Sequence, residues 1–549
     1  MRITTSRTEK RINRPVINNT PFGLNKKEFI MLAISAALMG CAFENINLDI
    51  FVWIAFIPFL AVISKKTPKD AFKAGFVAGM IFYLITIYWL VYTISHYGKI
   101  NVVLSFAIFL LLVLYLALFF ASFAFLYRYL KTRVDTLFLA PIIWVALEYL
   151  RTYLLSGFPW VLLGYSVYKR PMLTQFADIT GVYGQSFLIV LVNAVFYSMY
   201  EYFKGNMGRK RIREASFAYA IIGLVVFYGV TTLKDGIKEP AKTVKVALTQ
   251  GNIDQDIKWN TSYRRKTMEL YTDLSFSAIK KINDGSAKGA PPIPTLVVWP
   301  ETAAPFYMQS EKNYRDELLG IAKDANTHIL TGGLAFEITP EQDEDDDDYL
   351  LYNSAYLISP EKGILGRYDK NHLVPFGEYV PLSKILFFVN KLTQGIGDFD
   401  SGSDETVLTM NDSGIGLGTL ICYEAIFPNL ARNFAKNGAN ILVNITNDAW
   451  FGRTSAPYQH LSMTAFRAVE NKRYVIRAAN TGISGIIDPF GRVVKKSGIF
   501  EQAVITGQIK AIEKMTFYSR HGDLFSQTVS MILLILLLVA YRKRIPLEP

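Results

Sequence analysis

Three residues set apart by their surroundings could carry chemistry in this chain: Glu301 in Val-Val-Trp-Pro-Glu, Lys370 in Arg-Tyr-Asp-Lys-Asn-His-Leu-Val-Pro-Phe-Gly-Glu, and Cys422 in Gly-Thr-Leu-Ile-Cys-Tyr-Glu. A thiol nucleophile, a carboxylate able to take its proton and an ammonium able to hold an oxyanion are the parts of an acyl-transfer centre. Cys422 follows an apolar run and precedes Tyr-Glu-Ala-Ile-Phe-Pro, which places it at a sharp turn from strand to helix. Backbone N–H groups at such a turn face whatever the thiol attacks and supply half of an oxyanion site. Glu301 ends the run Leu-Val-Val-Trp-Pro, with Pro300 stiffening its approach. There it could act as general base toward the thiol and general acid toward a leaving group. Taken singly, a Cys at a strand end is usually a small buried hydrophobe, and a Glu or Lys a surface charge. Together, in this order, the three are far more specific.

The elements that position these residues fall into two kinds. Of the 549 residues 51% are hydrophobic, and the apolar ones cluster in runs long enough to cross a bilayer. Phe29–Phe43, Ile50–Ile63, Ala71–Thr93, Val102–Leu126, Leu137–Leu155, Phe187–Tyr200 and Phe217–Thr231 read as seven spans, with Thr528–Tyr541 as an eighth. Between Lys245 and Glu513 the pattern changes to short β-rich runs with Gly and Pro breaks. Val244–Thr249, Thr295–Val298, His328–Gly332, Ser354–Ile358, Gly416–Ile421, Ile441–Asn444 and Ser484–Asp488 read as buried strands. Helical stretches at Tyr263–Ile282 and Lys312–Ala325 alternate with them, which argues for an α/β layered domain. The expected organisation is a basic segment 1–27, a membrane domain 28–235, a catalytic domain 236–515, and a final span with its tail, 516–549.

Charge orients these parts. Loops 1–27, 64–73, 127–136, 200–215 and 542–549 hold 22 Lys/Arg, whereas the alternate short loops hold only Lys99, Arg151, Lys169 and Arg170. Basic loops stay cytoplasmic, so both termini fall inside and seven spans put the catalytic domain outside. The formal charge of +12 belongs to the membrane flanks, because residues 236–515 carry 30 Lys/Arg against 33 Asp/Glu. With no zinc-finger spacing, basic helix or Gly-rich RNA signature, nucleic-acid binding is excluded. No His/Cys/Asp cluster has metal-ligand spacing. Of the two cysteines, Cys41 lies in the first span and Cys422 in the outer domain. A disulfide is therefore not expected, and catalysis is the readiest reason to keep a lone thiol in an oxidising compartment.

Some segments admit two readings. Leu38-Met39-Gly40-Cys41 after a basic flank has the look of a lipoprotein signal, but the long preceding segment and Met39 favour an uncleaved first helix. The stretch Arg151–Gln185, rich in Gly, Pro and aromatics, is either a partly re-entrant element lining a cavity or an ordinary surface loop. The acidic run Asp343–Asp348 reads as a solvated loop tip.

Trp-Pro-Glu, Lys-x-x-Leu-Val-Pro-Phe-Gly-Glu and Cys-Tyr-Glu together resemble the nitrilase, or carbon-nitrogen hydrolase, superfamily. With its spans, the whole chain is similar to the apolipoprotein N-acyltransferase family, through Gln250-Gly-Asn-Ile, Trp259, Val374-Pro-Phe-Gly-Glu-Tyr379 and Asn444-Ile-Thr-Asn-Asp-Ala-Trp-Phe-Gly452. The resemblance implies a multi-pass α-helical membrane domain of eight spans under an outer nitrilase-like αββα sandwich, in the bacterial inner membrane; a monomer is expected. It implies that Cys422 takes the sn-1 acyl chain of a phospholipid, typically phosphatidylethanolamine, and passes it to the α-amine of an S-diacylglyceryl cysteine on an apolipoprotein. It implies a catalytic triad of Glu301, Lys370 and Cys422 without cofactor or metal. Glu378 would position Lys370 or assist proton transfer, or else form a structural ion pair. Tyr423 N–H would be the oxyanion donor, with Glu424 in support, and Trp259 would gate the substrate or pack in the core. The alternative activity is that of a membrane-tethered amidase, in which water takes the acyl group.

Overall fold

The computed structural model describes residues 22–43, 48–204, 209–238, 241–255, 261–284, 293–338, 349–379 and 399–543. Trp259, the Asp343–Asp348 run and most of the basic N-terminal segment lie outside them.

The first half of the chain is helical: α1 (Lys26–Cys41), α2 (Phe56–Ile63), α3 (Pro68–Thr86), α4 (Trp89–His96), α5 (Val102–Lys131), α6 (Leu139–Tyr153), α7 (Val182–Phe203) and α8 (Arg209–Asp235). Sequence signals set several starts. Asn25 and Glu28 form a reciprocal capping box on α1, Thr67 caps α3 just before Pro68, and Asn101 caps α5. Helices α5, α7, α8 and the C-terminal α13 (Leu524–Arg542) are long and apolar enough to cross a membrane. The pair α3 and α4, bent by 59°, makes a fifth if counted as one span. The other three expected spans are shorter. Helix α1 has 16 residues and α6 has 15, and a crossing takes about 20. Helix α6 is buried along most of its length, so neighbouring helices rather than lipid cover it.

Two sheets form the second half. The first runs in the order β13 (Ala503–Ala511), β1 (Lys242–Gln250), β2 (Thr295–Val298), β4 (His328–Ile338), β5 (Tyr349–Ser359) and β6 (Gly363–Asp369), with β3 (Ala304–Tyr307) added at β4. The second runs β12 (Val493–Lys496), β11 (Gly485–Ile487), β10 (Val475–Ala479), β9 (Ile441–Thr446), β8 (Ile415–Ile421) and β7 (Leu408–Met410). At the centre of the first, β1, β2 and β4 are parallel. In the second, β8, β9 and β10 are parallel. Alternation along the strands sorts side chains between layers. Val246, Leu248, Leu296 and Val298 join one core with Leu417, Leu420 and Ile421 of the other sheet. Ala247 and Val297 point the other way, into a core with Met268 and Tyr271 of α9 (Thr261–Asp284) and Leu318 of α10 (Lys312–Asp324). Against the second sheet lie α11 (Pro428–Lys436) and α12 (Ala456–Asn471), completing the four layers that the resemblance implies.

Helix α12 is buried on every side except at Tyr458, because its outer face meets the membrane domain. Gln459 Oε1 accepts from Trp89 Nε1 (3.2 Å) and Trp160 Nε1 (2.7 Å), while its Nε2 donates to Thr86 O (2.9 Å). That carbonyl is one of those left open where α3 ends. The expected single span Ala71–Thr93 is thus broken at Ile87–Tyr88 by a tertiary contact, with no Gly or Pro at the break.

Much of the stretch between α6 and α7 is buried, although Leu154 and Leu155 at its start are exposed. It packs beneath the catalytic domain, with Trp160, Tyr165 and Val167 buried. Its irregular backbone is satisfied from within the protein: Trp160 O accepts from Arg151 (3.0 Å), Leu163 N donates to Glu148 Oε1 (2.7 Å), and Gly164 N donates to Ser186 Oγ (2.9 Å).

Candidate active site

Glu301, Lys370 and Cys422 each stand just beyond the end of a strand, and the two sheets bring them together. Beyond β2 the chain stays laddered to β4, with Trp299 N donating to Leu330 O (2.8 Å) and Gly332 N to Pro300 O (3.2 Å). Trp299 is fully buried, stacks on Tyr271 and donates to Ser275 Oγ (2.9 Å). This anchors the approach to Glu301. The backbone can come so close only because residue 332 is Gly; a Cβ there would sit 2.4 Å from Thr302 N and 2.7 Å from Glu301 Cα.

Lys370 follows β6, and its N–H donates to Asn353 O on β5 at 2.9 Å. Its ammonium is 1% exposed and lies 2.8 Å from each carboxylate oxygen of Glu378 and 3.9 Å from Glu301 Oε1. Asn353 Nδ2 spans the two carboxylates, donating to Glu301 Oε1 (2.8 Å) and Glu378 Oε1 (3.1 Å). Glu378 Oε2 also accepts from Val374 N (2.8 Å). Burial works against the Lys370 charge, but Glu378 and Glu301 outweigh it and hold its pKa above the ordinary lysine value. Lys370 is a permanent cation here.

Cys422 follows β8 and opens the 3₁₀ turn Cys422–Ile426, with φ +50°. A non-glycine residue in the left-handed region costs energy and persists only where surroundings enforce it. Glu424 supplies part of that enforcement. Its Oε2 accepts from Ile421 N (2.7 Å), while Oε1 accepts from Asn371 N (2.7 Å), His372 N (3.1 Å) and Tyr368 OH (2.8 Å). One buried carboxylate thereby ties the nucleophile's turn to the loop that carries Lys370. Burial, and secondarily the charge of Glu301, push the Cys422 thiol up to about 12. At neutral pH it rests as a thiol, so attack requires a base.

Family comparisons follow the same division of the chain. The apolipoprotein N-acyltransferase N-terminal domain matches residues 35–195, and the carbon-nitrogen hydrolase family matches residues 245–514. The apolipoprotein N-acyltransferase of Geobacter metallireducens is 42% identical over 523 residues, covering 94% of this chain and 95% of its own. That of Rickettsia prowazekii is 32% identical over 499 residues, covering 89% and 95%. The chain belongs to the apolipoprotein N-acyltransferase family. Among solved structures, the amidase from Nesterenkonia sp. AN1 aligns at 20% identity over 52% of this chain and 97% of its own, with a TM-score of 0.35.

The carbon-nitrogen hydrolase layers of this family member also hold groups that its motifs did not single out. Asn353 is one, in the ordinary run Tyr-Asn-Ser; only its place opposite Lys370 in the β5–β6 pairing marks it. His372 lies near Lys370 in sequence, but its ring packs 3.8 Å from that of Phe427, and burial together with the Lys370 charge pushes its pKa down to about 4. It is neutral and unsuited to proton transfer near pH 7. Tyr423 packs edge-on to Phe427. Trp450 docks on Tyr97, with its carbonyl accepting from Thr93 Oγ1 (2.8 Å). Among the described residues no group of His, Cys, Asp and Glu could hold a metal ion. Trp259 lies outside the described residues.

Proposed function

We propose that this chain acylates lipoproteins. Cys422 takes the sn-1 acyl chain of a phospholipid, with phosphatidylethanolamine as the proposed donor, and the α-amine of an S-diacylglyceryl cysteine then receives it. The observation that carries this reading is a buried thiol on an enforced turn, with Glu301 and the Lys370 cation beside it, in a chain that also carries helices apolar enough to cross a membrane.

The chemistry follows from the groups present. Glu301 removes the thiol proton as sulfur bonds to the ester carbonyl carbon, and the oxyanion forms against the Lys370 ammonium and Tyr423 N–H. Collapse breaks the carbonyl carbon's bond to the glycerol oxygen. That oxygen takes the proton from Glu301 and leaves as lysophospholipid. The acceptor amine next attacks the thioester, Glu301 takes an amine proton, and the departing sulfur recovers it. Glu378 and Asn353 keep Lys370 and Glu301 apart, so the base is not quenched by its neighbouring cation. Water would compete with the amine for the thioester, and a site set against the membrane domain limits its access.

The charge asymmetry of the loops supports eight crossings with both termini cytoplasmic and the catalytic domain on the outer face. On this reading the shorter α6 crosses within the cover of its neighbours. The test is mass spectrometry after incubation with phosphatidylethanolamine of defined acyl chains. A fatty-acyl adduct on the Cys422 peptide, absent in Cys422→Ala, is expected. An adduct elsewhere, or none, overturns the proposal.

A further inference from the structure

Behind the nucleophile lies a fully buried polar cluster that the mechanism above does not use: His460 on α12, Asp448 after β9 and Arg477 in the middle of β10. His460 Nε2 is 3.1 Å from the carbonyl oxygen of Cys422 itself. A carbonyl only accepts, so Nε2 carries the proton. On the other side, His460 Nδ1 lies 3.1 Å from Arg477 Nη2 and 3.1 Å from Asp448 Oδ1. Arginine only donates and a carboxylate only accepts, so Nδ1 faces one partner of each kind, and the proton on Nε2 follows from the carbonyl alone. Burial, and then the Arg477 charge, hold its pKa below the ordinary histidine value, in keeping with a neutral ring. Asp448 Oδ1 takes its own hydrogen bond from Thr446 Oγ1 (3.0 Å), and Oδ2 takes one from Arg477 Nη2 (2.7 Å). Trp160 of the membrane domain and Phe451 pack around the imidazole, with ring centroids at 5.7 and 6.2 Å. The donor is fixed in rotation and place.

What it fixes is a peptide plane. The Cys422 carbonyl and the Tyr423 N–H belong to one planar trans unit and point in opposite directions. Holding the oxygen toward His460 turns the N–H away from it. As one of the first N–H groups of the 3₁₀ turn, Tyr423 N–H has no acceptor within that turn. It is the donor available to an oxyanion formed at Cys422. The positive φ of Cys422 needs the same restraint, since a relaxed turn would rotate this plane.

We propose that His460 is a positioning residue for the oxyanion site: by holding the Cys422 carbonyl from behind, it aims Tyr423 N–H at the tetrahedral intermediate, and Arg477 and Asp448 serve to hold the imidazole in place. The inference rests on the acyl-transfer reading of Cys422. It gives His460 a task in acylation but none in alkylation of the same thiol, because displacement at a saturated carbon forms no oxyanion.

The experiment compares His460→Gln, whose amide nitrogen reaches the place of Nε2, with His460→Asn, which keeps a polar group near Nδ1 but is too short to reach the carbonyl. For the full-length protein in detergent, acylation of Cys422 is timed with phosphatidylethanolamine and with an activated p-nitrophenyl ester, and alkylation with iodoacetamide. Thermal unfolding of both variants is recorded alongside. His460→Asn should acylate about 10²-fold more slowly than wild type with both donors, as for loss of an oxyanion donor, while alkylation stays within about threefold. His460→Gln should recover most of the acylation rate at a comparable unfolding temperature. Equal slowing of acylation and alkylation, or equal acylation by the two variants, would overturn the proposal. A wild-type enzyme that reacts with the activated ester but never with phospholipid would instead count against the acyl-transfer reading and leave the His460 comparison standing on the ester.

Discussion

Replacing Glu378 by Gln should disable the site through Lys370 rather than through Glu378 itself. The ammonium sits 2.8 Å from each Glu378 oxygen and 3.9 Å from Glu301 Oε1, at 1% exposure. With an effective dielectric near 20, the Glu378 contact is worth about 6 kcal/mol and the Glu301 contact about 4. The neutral amide of Glu378→Gln keeps the volume and the contact with Val374 N but loses the larger attraction, so Lys370 should close on Glu301. Moving from 3.9 Å to about 2.8 Å would stabilise the Glu301 carboxylate by a further 1.7 kcal/mol or so, which weakens it as a base. The cation would also leave the oxyanion position, and the two effects together should slow thioester formation by about 10²-fold or more. Single-turnover loading of Cys422, followed by intact-protein mass, reads this directly. Glu378→Asp, which restores the charge one methylene short, should lose less. A Glu378→Gln enzyme that loads at the wild-type rate would refute the view that Glu378 keeps the cation off the base.

Other expectations follow from the same geometry. Because burial raises the Cys422 pKa to about 12, its iodoacetamide reaction should climb with pH from about 7 to about 10 without a plateau; a plateau near the ordinary thiol pKa of roughly 8.5 would mean a thiolate stabilised at rest. Gly332→Ala places a Cβ within 2.4 Å of Thr302 N and should displace Glu301, cutting loading sharply while a thermal melt shows a folded protein; unchanged loading would show that the strand end is free to shift. Glu424→Gln sets an amide among four donors, and a buried mismatch of this kind costs about 1–3 kcal/mol, visible as a lower unfolding temperature. No change on melting would mean that the turn is held without it.

The reach of the sequence followed the visibility of its signals. Strands with uninterrupted apolar runs, such as Thr295–Val298 and Ile441–Thr446, stand where periodicity puts them. β10 is missing from that reading because Arg477 interrupts Val-Ile-Arg-Ala-Ala, and a buried arginine in a strand is intelligible only once Asp448 and Asn444 are seen opposite it. Glu301, Lys370 and Cys422 were readable because each stands in a motif. Asn353 and His460 act through contacts across sheets and between helix and turn, which no local pattern records. The break between α3 and α4 was hidden for the same reason: its cause, Gln459, lies 373 residues away. Trp259, which the resemblance casts as a substrate gate or a core residue, lies outside the described residues.

The central claim is that an amine, and not water, takes the acyl group from Cys422. Purified enzyme loaded from phospholipid should keep its thioester while no acceptor is present, and should discharge when a diacylglyceryl-cysteine peptide with a free N-terminus is added. The rate should fall as pH drops below the α-amine pKa, roughly 7.7 to 8.0 in unperturbed peptides, because only the neutral amine attacks. An N-acetylated peptide should leave the thioester intact. Prompt release of free fatty acid at a rate indifferent to added peptide would contradict the claim and mark the chain as a hydrolase.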